Sequence, residues 1–519
     1  MKKIINKANI LLAAFCLVAV SACKDYLDVN TDPNNQPDAS IPNILPGAQI
    51  GVGFNMGNTV QIVTSLWMQQ MAGTGTQTQS YDIYNVTAND FQNDWNSIYS
   101  TVLDDLNAIV QKGKAQGNNV QAGMAEVLLA YTYVVTTDMW GDIPQSQALN
   151  LVTYPKPVYD PQQNVYQSLI TIVDQGIADL QSTNVLDAKV GDLIYAGDVN
   201  KWVRAANSLK LKLYLQMRHK DPATATAGIN ALVAENTFIN SNANNLVVAF
   251  STSAGAQNPI YQYTHLTRQN DMIVSTRYYD SLRVLQDPRI PYIFTNVIST
   301  QATGVRDTTY ATYDNGLSQT IQYPGAGSPA NIINRSRWGV YVVGNGTQNN
   351  NGSISGAGAA PVRLITKSMV NFWLAEAALT LNTTGEAATY FKQAMLDNFE
   401  DIQSFTSAPA SFKTSYDAYI LNRLTAFEAA PATTSPGGKL NVLIREKWAS
   451  SAGNGYEAYN DYRRTGFPAL TKATNAQSAV TRIPVRLPYA QTEIQANQEN
   501  VPFQQYPAGI LVPVWWMPQ

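Results

Sequence analysis

Residues 122–147 read AGMAEVLLAYTYVVTTDMWGDIPQSQ. Met124, Val127, Leu128, Tyr131, Val134 and Val135 recur at helical spacing, so one face of a helix is apolar and needs a core to pack against. Gly141, free to turn left-handed just past a helix, and Pro144, unable to continue one, mark its end. Asp138 falls where the helix dipole disfavours a carboxylate. It is therefore expected to cap or hydrogen-bond the following turn, and Trp140 is expected to pack rather than meet a ligand.

Similar stripes flank this helix. Phe91, Trp95, Ile98, Val102, Leu103, Leu106 and Ile109 precede it, and Tyr166, Leu169, Ile170, Val173, Ile177 and Leu180 follow. Residues 198–220, DVNKWVRAANSLKLKLYLQMRHK, predict a helix capped by Asp198 with Arg218, His219 and Lys220 at its favourable end. Asn207 and Ser208 sit mid-helix, where they are poor formers, and are expected to bond a neighbouring helix. From Lys367, one stripe through Trp373 to Leu381, a TTGE turn and a second stripe through Phe391 make a helix–turn–helix with alanines at the crossing points. This is tetratricopeptide logic. In residues 439–470, KLNVLIREKWASSAGNGYEAYNDYRRTGFPAL, a helix stops at Gly466 and Pro468, and Tyr456, Tyr459 and Tyr462 are expected in the core. IPVRLPY beyond it holds too many prolines for a central strand and is expected to drape over helices.

The helical character fades between residues 240 and 361 into stretches rich in Gly, Asn and Ser, with Trp338 and Tyr341 set beside Arg335 and Arg337. WGVYVV alternates as a strand would, so Trp338 reads either as part of a hairpin or as a platform for a sugar. The MAGTGTQTQSYDIYN segment that includes Gln77, Tyr81 and Tyr84 is a second polar, aromatic linker, the kind of place where binding residues concentrate.

Composition bounds the partners. The 519 residues are 45% hydrophobic and 14% charged with net charge -3, which excludes nucleic acid and anionic lipid as main partners. The 28 tyrosines and 9 tryptophans, with abundant loop amides, suit a neutral polyhydroxylated ligand: rings cover its CH faces and amides answer its hydroxyls. No HExxH, GxSxG, Walker or GxGxxG pattern occurs, and His219 and His265 lack metal-ligand spacing. Neither an enzyme, a cofactor nor a metal is expected.

At the N-terminus, Lys2, Lys3 and Lys7 precede an apolar run at 10–20, too short to span a bilayer and shaped like a secretory signal. It ends Val20-Ser21-Ala22-Cys23, which resembles a lipobox. Cys16 falls within the signal, so Cys23 would be the sole cysteine of an exported chain, and lipidation gives that thiol a use. Residues 1–22 are thus expected as the signal, 23–43 as a lipidated tether and 44–519 as one domain. Asp28, Asn30 and Asp32 mimic a calcium loop, but Pro33 and Ala39 stand where Gly and Glu are required.

The opening CKDYLDVNTDPNNQPD, the segment TTDMWGDIPQSQA, NKWVRAANSLKLKLYLQMR, the 439–470 stretch and the closing RIPVRLPYAQTEIQANQENV together resemble the SusD/RagB family of surface lipoproteins from Bacteroidetes, across essentially the whole chain from Cys23. The resemblance implies a mainly α tetratricopeptide-like superhelix with long loop-rich insertions forming the ligand face. It implies a lipid-anchored outer-membrane protein facing the cell exterior, acting as a lid on a SusC-like TonB-dependent transporter. Its ligand would be an oligosaccharide, with a peptide as the alternative in the same family and a protein-binding tetratricopeptide scaffold as the alternative outside it. Loop composition marks Tyr81, Tyr84, Trp338 and Tyr341 as stacking platforms and Gln77, Arg337 and Asn345 as their hydrogen-bonding companions.

Overall fold

The computed structural model describes residues 39–300, 306–317, 335–502 and 505–518. The signal, Cys23, the calcium-like stretch and most of the tether lie outside those residues.

Helices dominate. They are α1 (Ile41–Gly57) and α2 (Thr59–Trp67), then α3 (Thr76–Asp82), α4 (Asp104–Gln116), α5 (Asn119–Trp140), α6 (Gln162–Leu180), α7 (Val199–Met217) and α8 (Pro222–Glu235). After the loop-rich region come α9 (Lys367–Leu381), α10 (Ala387–Thr406), α11 (Ala410–Ala429), α12 (Lys439–Ser450) and α13 (Gly455–Thr465). Successive helices α4 to α8 pack each on the next, and so do α9 to α11, the stacking expected of tetratricopeptide-like pairs. No helix among the described residues is long and apolar enough to cross a membrane.

The helix that opens the sequence argument is buried more completely than its periodicity suggests. Every residue of α5 from Val120 to Trp140 is buried, not one face of it. Small residues close the remaining faces: a Cβ on Gly123 would lie 2.7 Å from the Gly176 carbonyl oxygen, so α5 and α6 touch backbone to backbone. Gly141 ends the helix at φ 90°.

Asp138 does not cap that turn. Its side chain is fully buried and accepts from the Tyr166 hydroxyl at 2.5 Å, the Tyr456 hydroxyl at 2.7 Å, Asn460 Nδ2 at 2.9 Å and Trp516 Nε1 at 2.9 Å. The turn is held instead by Thr137 Oγ1, which donates to the Gly141 carbonyl. Four donors from distant elements solvate the carboxylate where water cannot, which is why the unfavourable dipole position is tolerated. The extended segment 483–489 drapes as expected: Leu487 N donates to Met139 O, Pro484 O accepts from Tyr459, and Pro488 O accepts from Trp140 Nε1.

A second buried polar system crosslinks α7, α9, α12 and α13. Glu376 accepts from Arg464 at 2.6 Å and forms an ion pair with Arg218 at 2.7 Å, Asp461 accepts from Arg464 at 2.5 Å and Lys447 at 2.7 Å, and Lys212 pairs with Glu457. Burial alone would raise the Glu376 carboxyl; the Arg464 and Arg218 guanidiniums outweigh it and hold it at about 2. Asp198 caps α7 as expected, accepting from Lys201 N at 3.2 Å. Asn207 and Ser208 bond Thr237 and Ile239, so their partner is the chain just past α8 and not a neighbouring helix.

Short antiparallel pairs tie the loop-rich region to the helices. β1 (Met71–Gly73) pairs with β3 (Met272–Val274) in the register Met71↔Val274, and β2 (Leu246–Val248) pairs with β4 (Val362–Ile365) at the base of the insertion.

Candidate ligand-binding cleft

The α1–α2 junction supplies one wall of an open cleft of about 390 Å³, with Phe54, Asn55, Asn58, Thr59 and Ile62; Gln77 and Tyr81 of α3, residues 90–97 and Tyr263 supply the rest. Helix α1 ends at Gly57 and α2 starts at Thr59, with Asn58 between them as the N-cap of α2, its carbonyl accepting from Ile62 N at 2.9 Å. Phe54 is 43% exposed and, with Tyr154 and Tyr506, one of three clearly exposed aromatic side chains among the described residues.

The β1–β3 pairing brings Tyr263 to the opposite wall. Thr74 Oγ1 donates to Asn270 O at 2.9 Å, Thr76 Oγ1 to Asp271 Oδ2 at 2.6 Å and Thr78 Oγ1 to Asp271 O at 2.5 Å, which seams the Thr- and Gln-rich segment to residues 270–271. Asp90 is fixed by a capping box in which Thr87 N and Oγ1 donate to Oδ2 at 2.6 and 2.8 Å, and Gln77 Nε2 donates to Oδ1 at 3.2 Å. Asp94 is raised to about 6 by burial, which the Thr59 hydrogen bond only partly offsets. The Tyr81 hydroxyl is pushed well above its ordinary range by burial and by Asp90, Asp94 and Tyr263 around it. Ser97 Oγ donates to Asn55 Oδ1 at 3.1 Å, while Asn55 Nδ2 has no hydrogen-bond partner among the described residues.

Of the residues singled out in the sequence, only Gln77 and Tyr81 meet here. Gln77 is exposed; Tyr81 is 3% exposed, its ring stacked on Phe91 at 5.6 Å, and it contributes to the wall without offering a free face. The expectation of open platforms is corrected for the other three rings. Tyr84 is buried with its hydroxyl accepting from Ala473 N. Trp338 is fully buried against Phe294 at 6.0 Å. Tyr341 is buried under Arg363, 3.8 Å from its ring centroid, and donates to Asp401 Oδ2 at 2.6 Å.

Arg337 is also interior, donating to Gln269 O and Asn351 O, and it acts as a tie between loops. Asn345 is exposed but lies on another surface, bonded to Phe405 O. WGVYVV is neither a hairpin strand nor a platform: Val340–Val343 forms one helical turn, and Trp338 makes an isolated bridge with Phe294.

Sequence reasoning passed over Phe54, Asn55, Asn58, Asn93, Asp94 and Tyr263. The available signal was Gly57-Asn58 interrupting an apolar helical run, a break with no loop to explain it. Chemically, the cleft offers amide and hydroxyl groups, an exposed ring and two carboxylates. No group of three or more His, Cys, Asp or Glu among the described residues could hold a metal ion.

Two other spaces are less suited. The mixed polar and apolar pocket beside Asn398, Lys447 and Glu457 admits about 40 Å³, room for water rather than a ligand. The groove of about 430 Å³ between α10 and α11 is floored by Leu396, Ile420 and Leu424 and rimmed by the Lys413–Asp417 ion pair, so it lacks amides.

A family model of SusD-like proteins, described as starch-binding associating with outer membrane, matches residues 33–490. No curated protein matches the chain. A solved chitin-binding protein superposes with TM-score 0.73 at 23% identity, covering 92% of this chain and 100% of its own. A SusD homologue from Bacteroides uniformis gives 0.71 at 22% over 91% and 99%. A SusD/RagB family protein from Bacteroides thetaiotaomicron gives 0.69 at 22% over 92% and 99%. At these identities the likenesses establish the fold.

Proposed function

The chain belongs to the SusD-like family of starch-binding proteins associating with the outer membrane, and from that premise we propose that it captures oligosaccharides at the cell surface and delivers them to a SusC-like TonB-dependent transporter. The observation that carries the ligand assignment is the cleft at the α1–α2 junction, where the exposed Phe54 ring stands among Asn55, Asn58, Gln77 and Asn93. An apolar face flanked by side chains that both donate and accept matches a sugar ring. A solved relative in fold is named as chitin-binding, which agrees with a saccharide ligand. Capture of this kind needs binding and release, with no bond made or broken.

The same reading places Cys23 as the lipid anchor and the helical surface as the docking face for the transporter. Isothermal titration of the purified chain with neutral oligosaccharides tests the cleft. Asn58→Ala and Asn93→Ala are expected to weaken binding by about tenfold each, consistent with roughly 1–1.5 kcal/mol per hydrogen-bonding group. Unchanged affinity in both variants would remove the cleft from consideration. Co-purification of a TonB-dependent barrel from solubilised outer membrane tests the partner, and loss of Cys23→Ala protein from the membrane fraction tests the anchor.

A further inference from the structure

The charges of the cleft do not suit every glycan. Its two ionisable carboxylates, Asp90 and Asp94, come from one turn of chain and both line the space; no lysine or arginine lines it among the described residues. Neither acid has an ion-pair partner there. Asp90 is held by Thr87, Gln77 and the Tyr81 hydroxyl and Asp94 by Thr59, and neither forms a salt bridge among the described residues. Arg268 and Arg335 stand behind the Tyr263 wall, and neither lines the space. Asp271, accepting from Thr76 and Tyr263, is a further acid behind the tyrosine and interacts with the buried Arg335, while the exposed Arg268 of the same segment interacts with Tyr263. Asn55 Nδ2 remains without a hydrogen-bond partner among the described residues at the same wall.

Two unpaired carboxylates in a partly desolvated space cost stability, and a neutral sugar would be served by the amides alone. A unit charge brought close to such carboxylates is attracted if it is a cation and repelled if it is an anion. Resting on the cleft being the ligand site, we propose that it selects saccharides carrying a free ammonium group, oligomers of unacetylated amino sugar, and rejects uronic-acid and sulfated glycans.

The test compares three oligomers of equal length on the purified chain: the glucosamine hexamer, the N-acetylglucosamine hexamer and the galacturonic acid hexamer. The glucosamine hexamer is expected to bind about tenfold more tightly than the acetylated one, the acidic hexamer not measurably, and the preference to shrink at about 0.5 M salt as screening shortens. Asp90→Asn with Asp94→Asn is expected to bring the first two oligomers to equal affinity. Should that double variant fail to fold, the salt dependence on the unaltered chain and Asp94→Asn alone carry the comparison.

Binding of the acidic hexamer as tightly as the amino one, no binding of the glucosamine hexamer, or a preference that survives both high salt and the double variant overturns the proposal. Tighter binding of an oligolysine peptide than of the glucosamine hexamer overturns it too, in favour of a basic peptide. The underlying site assignment fails separately: there Asn58→Ala and Asn93→Ala leave every oligomer's affinity unchanged. If those variants weaken all oligomers alike and the unaltered chain shows no ammonium preference, only the charge selectivity falls.

Discussion

The Tyr166 hydroxyl donates to Asp138 Oδ1 at 2.5 Å, joining α6 to the last turn of α5 in a site from which solvent is excluded. Tyr456, Asn460 and Trp516 complete the set of donors. Asp138→Ala would strand all four, at about 1–3 kcal/mol for each buried donor left unmade. A loss of at least about 4 kcal/mol is expected, seen as a lower urea midpoint; a midpoint unchanged from the parent would show that the hub carries no stability.

Trp338 and Asn93 separate packing from binding. Trp338→Ala removes a fully buried ring stacked on Phe294 and is expected to cost about 3–5 kcal/mol. Asn93→Ala, at an exposed cleft position, should leave the melting temperature within about 2 °C while weakening oligosaccharide binding. Titration and thermal melts on both variants check the pair of outcomes. A stable Trp338→Ala protein with impaired binding would restore that residue to the ligand face.

Asp94 gives a pH signature. Burial raises its folded-state value from 3.8 to about 6, so the folded chain holds this proton more tightly than the unfolded chain. Its contribution to stability is complete below the ordinary carboxylate range and is lost as pH rises through about 6. Asp94→Asn is expected to remove that decline and to stabilise the protein at pH 7 by about 1–2 kcal/mol. Denaturation curves at pH 4 and pH 7 decide it, and an equal effect of the substitution at both values would contradict the assignment.

Glu376 is held ionised by Arg464 and Arg218 within a space closed to water. Glu376→Gln leaves Arg218 without its counter-ion and Arg464 with Asp461 alone, and is expected to cost about 3–5 kcal/mol. Pairing it with Arg464→Met should recover part of that loss. A double-mutant cycle measures the coupling, and simple additivity would mean that the ion pair contributes nothing of its own.

At Gly73 a Cβ would lie 2.1 Å from the Thr78 carbonyl oxygen, so Gly73→Ala must move strand β1 away from α3. Since β1 pairs with β3 and thereby sets Tyr263 opposite Gln77, the substitution should weaken ligand binding without touching a cleft residue. Binding equal to that of the parent would show that the seam does not position the walls.

The helical framework was legible because 3.6-residue periodicity reports burial directly, as at Trp202 or Phe391. The caps at Asp198 and Gly466 were legible because each rests on local geometry alone. Trp338 was misread for a physical reason. Glycines and asparagines around it mark irregular backbone, but whether such backbone is covered depends on Phe294 and His265, which approach from residues far along the chain. The cleft was half legible: Gln77 and Tyr81 lie in a polar linker, whereas Phe54 and Asn58 lie at a Gly-Asn break in a run whose apolar residues fall at mixed spacing and mark no exposed face.

The Asp138 cluster also orders events in time. Three of its donors lie 318 to 378 positions further along the chain. During synthesis α5 and α6 emerge early, yet a carboxylate with Tyr166 as its sole donor cannot stay buried without penalty. The early helices therefore gain the full set of donors around Asp138 only once residues 456–516 have been made, and that most distant segment is the latch on the end of α5.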